Sequence, residues 1–333
     1  MHMADALLSP GVGLGFLAAS CAALALSARR LAPRLQQDSR LPALMGVLGA
    51  FVFAAQMINF TIPGTGSSGH LGGGMLLAIL LGPWAGLIVI ASVLLVQALF
   101  FADGGLLAWG ANVFNLGVLS CFVLYPLVFR PLCGKGGQRL RVSMAALISC
   151  TLAMMLGAFG VSLETAISGI TYLPLAEFLA LMLPIHLAIG LVEGGVTAAV
   201  LAFVARRHPT LGAVPLQNSA VGTVAAFILA ALLTGGVLSW FASSHPDGLE
   251  WSITRLGAEH LLQQVPQDKL AQQLASVQQA TSVLPGYDTA TPLPASGMAS
   301  AGTSLAGVVG AGVTLLLVLL LGTALRRLRK PVP

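Results

Sequence analysis

Apolar stretches of about twenty residues recur along almost the whole chain, separated by glycine, proline or short basic clusters. They cover 11–28, 42–60, 84–101, 107–129, 142–163, 178–205, 219–242 and 304–325. About twenty apolar residues wound as an α-helix cross the hydrocarbon core of a bilayer, so each stretch predicts a membrane helix. A shorter run, 71–81, follows a glycine-rich loop and closes at Gly82-Pro83. At about eleven residues it is too short to cross unaided. It counts as a crossing only if the loop before it enters the membrane, where irregular backbone is tolerated inside protein or along a cavity.

The basic residues settle that count. Arg29, Arg30, Arg34 and Arg40 follow the first run, and Arg130, Lys135, Arg139 and Arg141 follow the run ending at Phe129. Arg206 and Arg207 follow the run ending at Ala205, and Arg326, Arg327, Arg329 and Lys330 follow the last. Basic clusters mark the cytoplasmic side. Nine crossings, with 71–81 as the short third, place every cluster inside; eight break the scheme after residue 70. The expected fold class is therefore an all-α integral membrane protein of about nine transmembrane helices. Its N-terminus lies outside and its C-terminus in the cytoplasm, with the hydrophilic stretch 243–303 outside.

Composition agrees: 56% of residues are hydrophobic and 8% charged, against about 25% charged in soluble domains. The net charge of +5 does not indicate nucleic acid, because the basic residues sit between apolar runs instead of on one face. Cys21, Cys121, Cys133 and Cys150 form no CxxC pair, so neither a disulfide framework nor a thiolate metal site is expected. Asp5 stands where a cleaved signal would carry positive charge, so the first run reads as a retained span and Met1 as part of the mature chain. Stretch 243–303 is rich in Gln, Ser, Ala and Pro. It predicts a helix at 257–280 and a flexible connector at 285–303, without an independent core.

The candidate chemistry sits at the chain's start. The amine of Met1, the amide of His2 and the His2 imidazole are consecutive nitrogens. Amine and amide close a five-membered chelate ring, and amide and Nδ1 a six-membered one. A metal that deprotonates an amide and accepts a planar nitrogen set points to Ni(II) or Cu(II). Taken alone, a His at position 2 is usually accidental. The glycine-rich loop 61–74 falls on the same side of the membrane, and its His70 is the natural fourth nitrogen. Met3 offers a thioether but reads first as an apolar anchor.

Other intramembrane polar residues are functional candidates by default. His186 and Glu193 lie seven apart, two turns along one helix face. They read either as a structural pair facing neighbouring helices or a partner subunit, or as a second metal site. Asp103, Asn112 and Asn115 border the outward ends of two spans. There they can fix the tautomer of His2 or His70 through its second nitrogen, or simply cap the Asp103-Gly104-Gly105 turn. His208, His245 and His260 read as solvated. No GxxxxGK[ST] phosphate loop occurs, so energy for any transport has to come from another subunit.

Four stretches resemble the nickel/cobalt substrate-binding S components of energy-coupling factor transporters, the CbiM/NikM type. They are Met1 through Pro10; Ile62-Pro63-Gly64-Thr65 with Gly69-His70-Leu71 and Leu80 through Trp84; Gln97 through Gly105 with Gly110-Ala111-Asn112 and Asn115; and Leu183 through Leu187 with Gly190 and Glu193-Gly194. Pro246-Asp247-Gly248-Leu249-Glu250-Trp251 is similar to the PDGLE module that accompanies or is fused to such proteins. The resemblance implies a metal-binding membrane domain at 1–210 with seven helices, and a PDGLE module at 211–333 with two. It implies Met1, His2 and His70 as metal ligands, nickel or cobalt as transported ion, and no catalytic cofactor. It further implies a transmembrane coupling subunit and cytoplasmic ATPases as partners in the cell membrane. The fused arrangement tilts the metal toward nickel. Met3-Ala4 and Ala6-Leu7 depart from the family's opening, but the Met1-His2 adjacency is intact. The rivals are cobalt uptake by the same mechanism, an ion-coupled secondary carrier using His186 and Glu193 as a proton relay, and a membrane anchor working through 243–303.

Overall fold

The structure, a computed structural model, describes residues 2–134, 138–207, 221–260, 268–288 and 299–328. Among the described residues, six helices are long and apolar enough to cross a membrane. These are α1 (Pro10–Gln37), α4 (Pro83–Phe101), α5 (Trp109–Cys133), α6 (Arg139–Ser168), α7 (Leu175–Arg207) and α11 (Ala299–Leu328). Two further apolar helices, α2 (Leu41–Gln56) and α8 (Val221–Gly236), have sixteen residues each. The run expected as a short helix is α3 (Gly74–Leu81). Every apolar run of the sequence thus becomes helix. The exceptions lie at the ends. The run to residue 60 stops at Gln56, where the chain turns into a hairpin, and the run to residue 242 stops at Gly236 before a single 3-10 turn at Leu238–Phe241.

Local chemistry sets these boundaries. Pro10 opens α1 with Ser9 as its cap, the Ser9 hydroxyl accepting from Val12 N at 3.5 Å. Gly82, at φ +87°, ends α3, and Pro83 opens α4, so the two form a tight antiparallel pair. At 1.5 Å per residue, α4 is about 28 Å long and α3 about 12 Å. The irregular residues before Gly74 make up much of that difference.

Between α2 and α3 lies an antiparallel hairpin of β1 (Phe60–Ile62) and β2 (Ser67–Gly69), with Thr61 opposite Ser68. The sequence predicts a glycine-rich loop here, without strands. The strands that form are three residues long, too short to leave a period-two signature.

Helix α2 is almost wholly buried. Helix α11 lies along it, with the Leu315 carbonyl against Gly46, and α8 packs on both. Gly235 and Gly307 meet backbone to backbone, the close approach that small residues permit between membrane helices. Helices α6 and α7 form the most extensive pair, and α5 packs on α6. Helix α1 is the peripheral one, its outer face exposed and carrying Cys21. Cys121, Cys133 and Cys150 are buried free thiols.

The hydrophilic stretch is not detached. It forms α9 (Gly248–Arg255) and α10 (Lys269–Thr281), followed by a turn at Pro285–Tyr287. The helix expected at 257–280 is therefore interrupted, although 261–267 lies outside the described residues. The connector expected at 285–303 begins instead as a docked turn, its 289–298 portion also lying outside them.

Candidate metal centre

Two segments meet at the end of the bundle where α4 finishes. The first is the chain's start. Asn112 grips Met3 by its backbone: Met3 N donates to Asn112 Oδ1 at 2.8 Å, and Asn112 Nδ2 donates to Met3 O at 3.2 Å. Gly105 N also donates to Met3 O, at 3.0 Å. Asp5 accepts from Ala108 N at 2.9 Å, and Thr171 donates to Ala6 O at 3.1 Å. Any side chain at Gly105 would run into Asp5, so the close approach of the loop requires glycine. Met3, Leu7 and Leu8 are fully buried in the core. Met3 is an apolar anchor, as its chemistry suggested.

The second segment carries His70. Glu193 reaches from α7 and accepts from Gly72 N and Gly73 N, both at 2.9 Å. Gln56 Nε2 donates to Gly72 O at 2.8 Å. Gly73 sits at φ +77° with Val52 against its backbone, a conformation that favours glycine. His70 Nδ1 lies 3.1 Å from Leu71 O.

The two imidazoles stack. The rings of His2 and His70 have centroids 4.8 Å apart and planes 13° from parallel. His2 Nδ1 lies 2.9 Å from Asp103 Oδ1, while its Nε2 is buried with no hydrogen-bond partner among the described residues. Burial pushes the His70 pKa down to about 3, with positive charge on neighbouring groups adding to the effect. That shift favours the neutral imidazole. Burial raises Asp103, but His2, the Tyr287 hydroxyl and His70 outweigh it and hold the carboxyl well below its usual range.

The remaining sequence-level candidates divide. Met1 lies outside the described residues, as does His208. Asp103 faces His2 Nδ1, the nitrogen the chelate would use, and not the second nitrogen as expected. Asn112 and Asn115 bond elsewhere. Asn112 holds backbone, and Asn115 Nδ2 donates to both oxygens of buried Glu164 at 3.0 Å. His186 is buried in α7, with Nδ1 2.7 Å from Met182 O, and Glu193 spends both oxygens on the Gly72 and Gly73 amides. His245 and His260 are exposed. Among the described residues no three His, Cys, Asp or Glu side chains group as a metal would need.

Sequence reasoning missed the roof. Ser68 N donates to Pro246 O at 2.8 Å, and Ser68 pairs with Asp247 as a single bridge. Trp251 Nε1 donates to Thr65 O at 3.0 Å. On the other side, Tyr287 donates to Asp103 Oδ2. The PDGLE-like motif and Tyr287, an aromatic in a stretch poor in them, were the only available signals.

Fold and site together define a multi-pass membrane protein with a histidine pair at one end of its helix bundle. Residues 2–211 match the family described as "Cobalt uptake substrate-specific transmembrane region", and residues 222–327 match the PDGLE domain. A relative from Archaeoglobus fulgidus, provisionally named as a fused nickel transport protein NikMN, is 35% identical over 330 residues, 98% of each chain. A cobalt transport protein CbiM from Geobacter sulfurreducens is 30% identical over 280 residues, 78% of each. A crystal structure of a truncated transition metal transporter aligns with TM-score 0.54 at 31% identity, covering 62% of this chain and all of that one. The chain belongs to the cobalt-uptake substrate-specific transmembrane family, fused to a PDGLE domain. It is a nickel or cobalt transport component and not an enzyme.

Proposed function

We propose that this chain is the substrate-binding subunit of an energy-coupling factor importer, and that it captures Ni2+ from outside in a planar all-nitrogen site. The ligands are the amine of Met1, the amide and imidazole of His2, and the imidazole of His70. The observation that carries this reading is the stacking of His2 on His70 at 4.8 Å, with residue 3 locked by Asn112 so that the chain's end is delivered to the glycine-rich loop. The amide–imidazole chelate needs His2 Nδ1, which here faces Asp103. Capture therefore includes the release of that nitrogen from the carboxylate to the metal. Nickel is favoured over cobalt because Co(II) usually takes more ligands and other geometries. The fused relative, similar along nearly the whole chain, is named for nickel.

Nine crossings, with the N-terminus outside, remain the topology we favour. Its support is that Arg34, at the basic end of α1, donates to Leu81 O at 3.1 Å, while the loop before α3 meets His2 at the opposite end. Short α3 with its preceding loop thus connects the two ends. We place the metal-binding domain at 1–210 and the PDGLE module at 211–333.

The chain carries no recognisable nucleotide site, so a transmembrane coupling subunit and cytoplasmic ATPases supply energy and move the loaded subunit to open its site inward. Proton competition for the nitrogens aids release. The test is nickel accumulation in cells. We expect uptake to require the co-expressed ATPases and to survive collapse of the proton gradient. Uptake without ATPases that stops with the gradient would establish a secondary carrier instead.

A further inference from the structure

We propose that Tyr287 is a positioning residue for metal capture, acting on the His2 imidazole through Asp103. This rests on the Met1, His2 and His70 reading given above. Three observations carry it. First, the segment bearing Tyr287 is docked on the end of α4. The last carbonyls of a helix lack intrahelical partners, and here Gln278 Nε2 donates to Ala98 O at 3.0 Å, Ser282 to Leu99 O at 3.3 Å and Leu284 N to Phe100 O at 3.1 Å. Gln278 also donates to Gly104 O at 2.7 Å, beside Asp103 itself.

Second, Tyr287 is held at φ +62°, a left-handed conformation that is unfavourable for a non-glycine residue. Such a residue persists where its surroundings over-determine it. Its ring stacks on Phe101 at 4.8 Å and 14°. Third, its hydroxyl donates to Asp103 Oδ2, while Asp103 Oδ1 faces His2 Nδ1 at 2.9 Å. The carboxylate is pinned from one side by the PDGLE module and presents its other oxygen to the candidate ligand.

The test measures nickel binding to the full chain in detergent, following association rate and stoichiometry for wild type, Tyr287→Phe, Asp103→Asn and the double variant. Asp103 holds the nitrogen that the metal takes, and the phenol, by sharing the carboxylate's charge, eases the release of that nitrogen at capture. We expect Tyr287→Phe to keep one nickel per chain and slow capture about tenfold. The double variant is expected to be no slower than Asp103→Asn alone, because the hydroxyl acts through the carboxylate. Wild-type capture by Tyr287→Phe, or losses that multiply in the double variant, would overturn the proposal. Should Tyr287→Phe fail to fold, Phe101→Leu decides. It loosens the ring's stacking partner and leaves the hydroxyl, so slowed capture that disappears in the Asp103→Asn background supports the relay, and unchanged capture refutes it. An alanine inserted between Met1 and His2 is the control. If it abolishes stoichiometric nickel while Tyr287→Phe is unaffected, only the relay is wrong. If it leaves nickel binding intact, the site itself is misplaced.

Discussion

Two histidine-bearing clusters lie inside this protein, and they have been put to different uses. At the end of the bundle, His2 and His70 stack face to face, with Asp103 against His2 Nδ1. Along α7, His186 is tied to its own helix through Met182, and Glu193 spends both oxygens on the amides of Gly72 and Gly73. The first cluster converges donors on one place. The second braces the loop that carries one of those donors. A histidine and a carboxylate on one helix face are therefore no sign of a metal site until the carboxylate's own hydrogen bonds are counted.

That contrast orders the effects of substitution. His70→Ala removes one of four ligands and is expected to cut nickel affinity by more than about 100-fold, beyond what outer partners contribute; titration calorimetry reads this directly. Glu193→Ala leaves two buried amides unsatisfied at about 1–3 kcal/mol each. It should lower the thermal midpoint of the metal-free protein as well as weaken nickel binding. A Glu193→Ala variant that keeps its midpoint and loses only metal would turn the brace into a ligand and collapse the distinction. Asn112→Ala frees the backbone of Met3 and is expected to weaken binding by about 10–100-fold, with the midpoint little changed. His186→Phe, with no role in capture, should stay within about threefold of wild type in affinity.

A pH series sharpens the same comparison. The folded pKa of His70 is lowered to about 3, below the ordinary value near 6.5. The unfolded chain therefore binds the extra proton first. The stability this histidine contributes is present above pH 6.5 and is lost as pH falls toward 3. The thermal midpoint of the metal-free protein should rise with pH across that window, more steeply in wild type than in His70→Gln. Nickel capture should still weaken between about pH 8 and pH 5, through competition at the other nitrogens.

Much of this was legible in the chain. The apolar runs located the helices because their pattern is set residue by residue, and the short run 71–81 was recognisable from Gly82-Pro83 and the glycines before it. The pairing of His2 with His70 could be anticipated because adjacent chelating nitrogens need a further donor, and the charge pattern set both on one side. Asp103 stood beside a turn signal and did reach His2. The partners of Asn112 and Asn115 were not legible. Met3 lies 109 positions from Asn112 and Glu164 lies 49 from Asn115, and helix packing alone decides such meetings. The docking of 268–288 was hidden for a similar reason: its hydrogen bonds to α4 go to backbone carbonyls, which any sequence provides.

The most direct test of the account is the metal content and visible spectrum of the purified protein beside a variant with one alanine between Met1 and His2. The account predicts a yellow, diamagnetic species with one nickel per chain in wild type, lost on insertion. Nickel retained one to one, with an unchanged spectrum after insertion, would contradict it and move the site away from the chain's start.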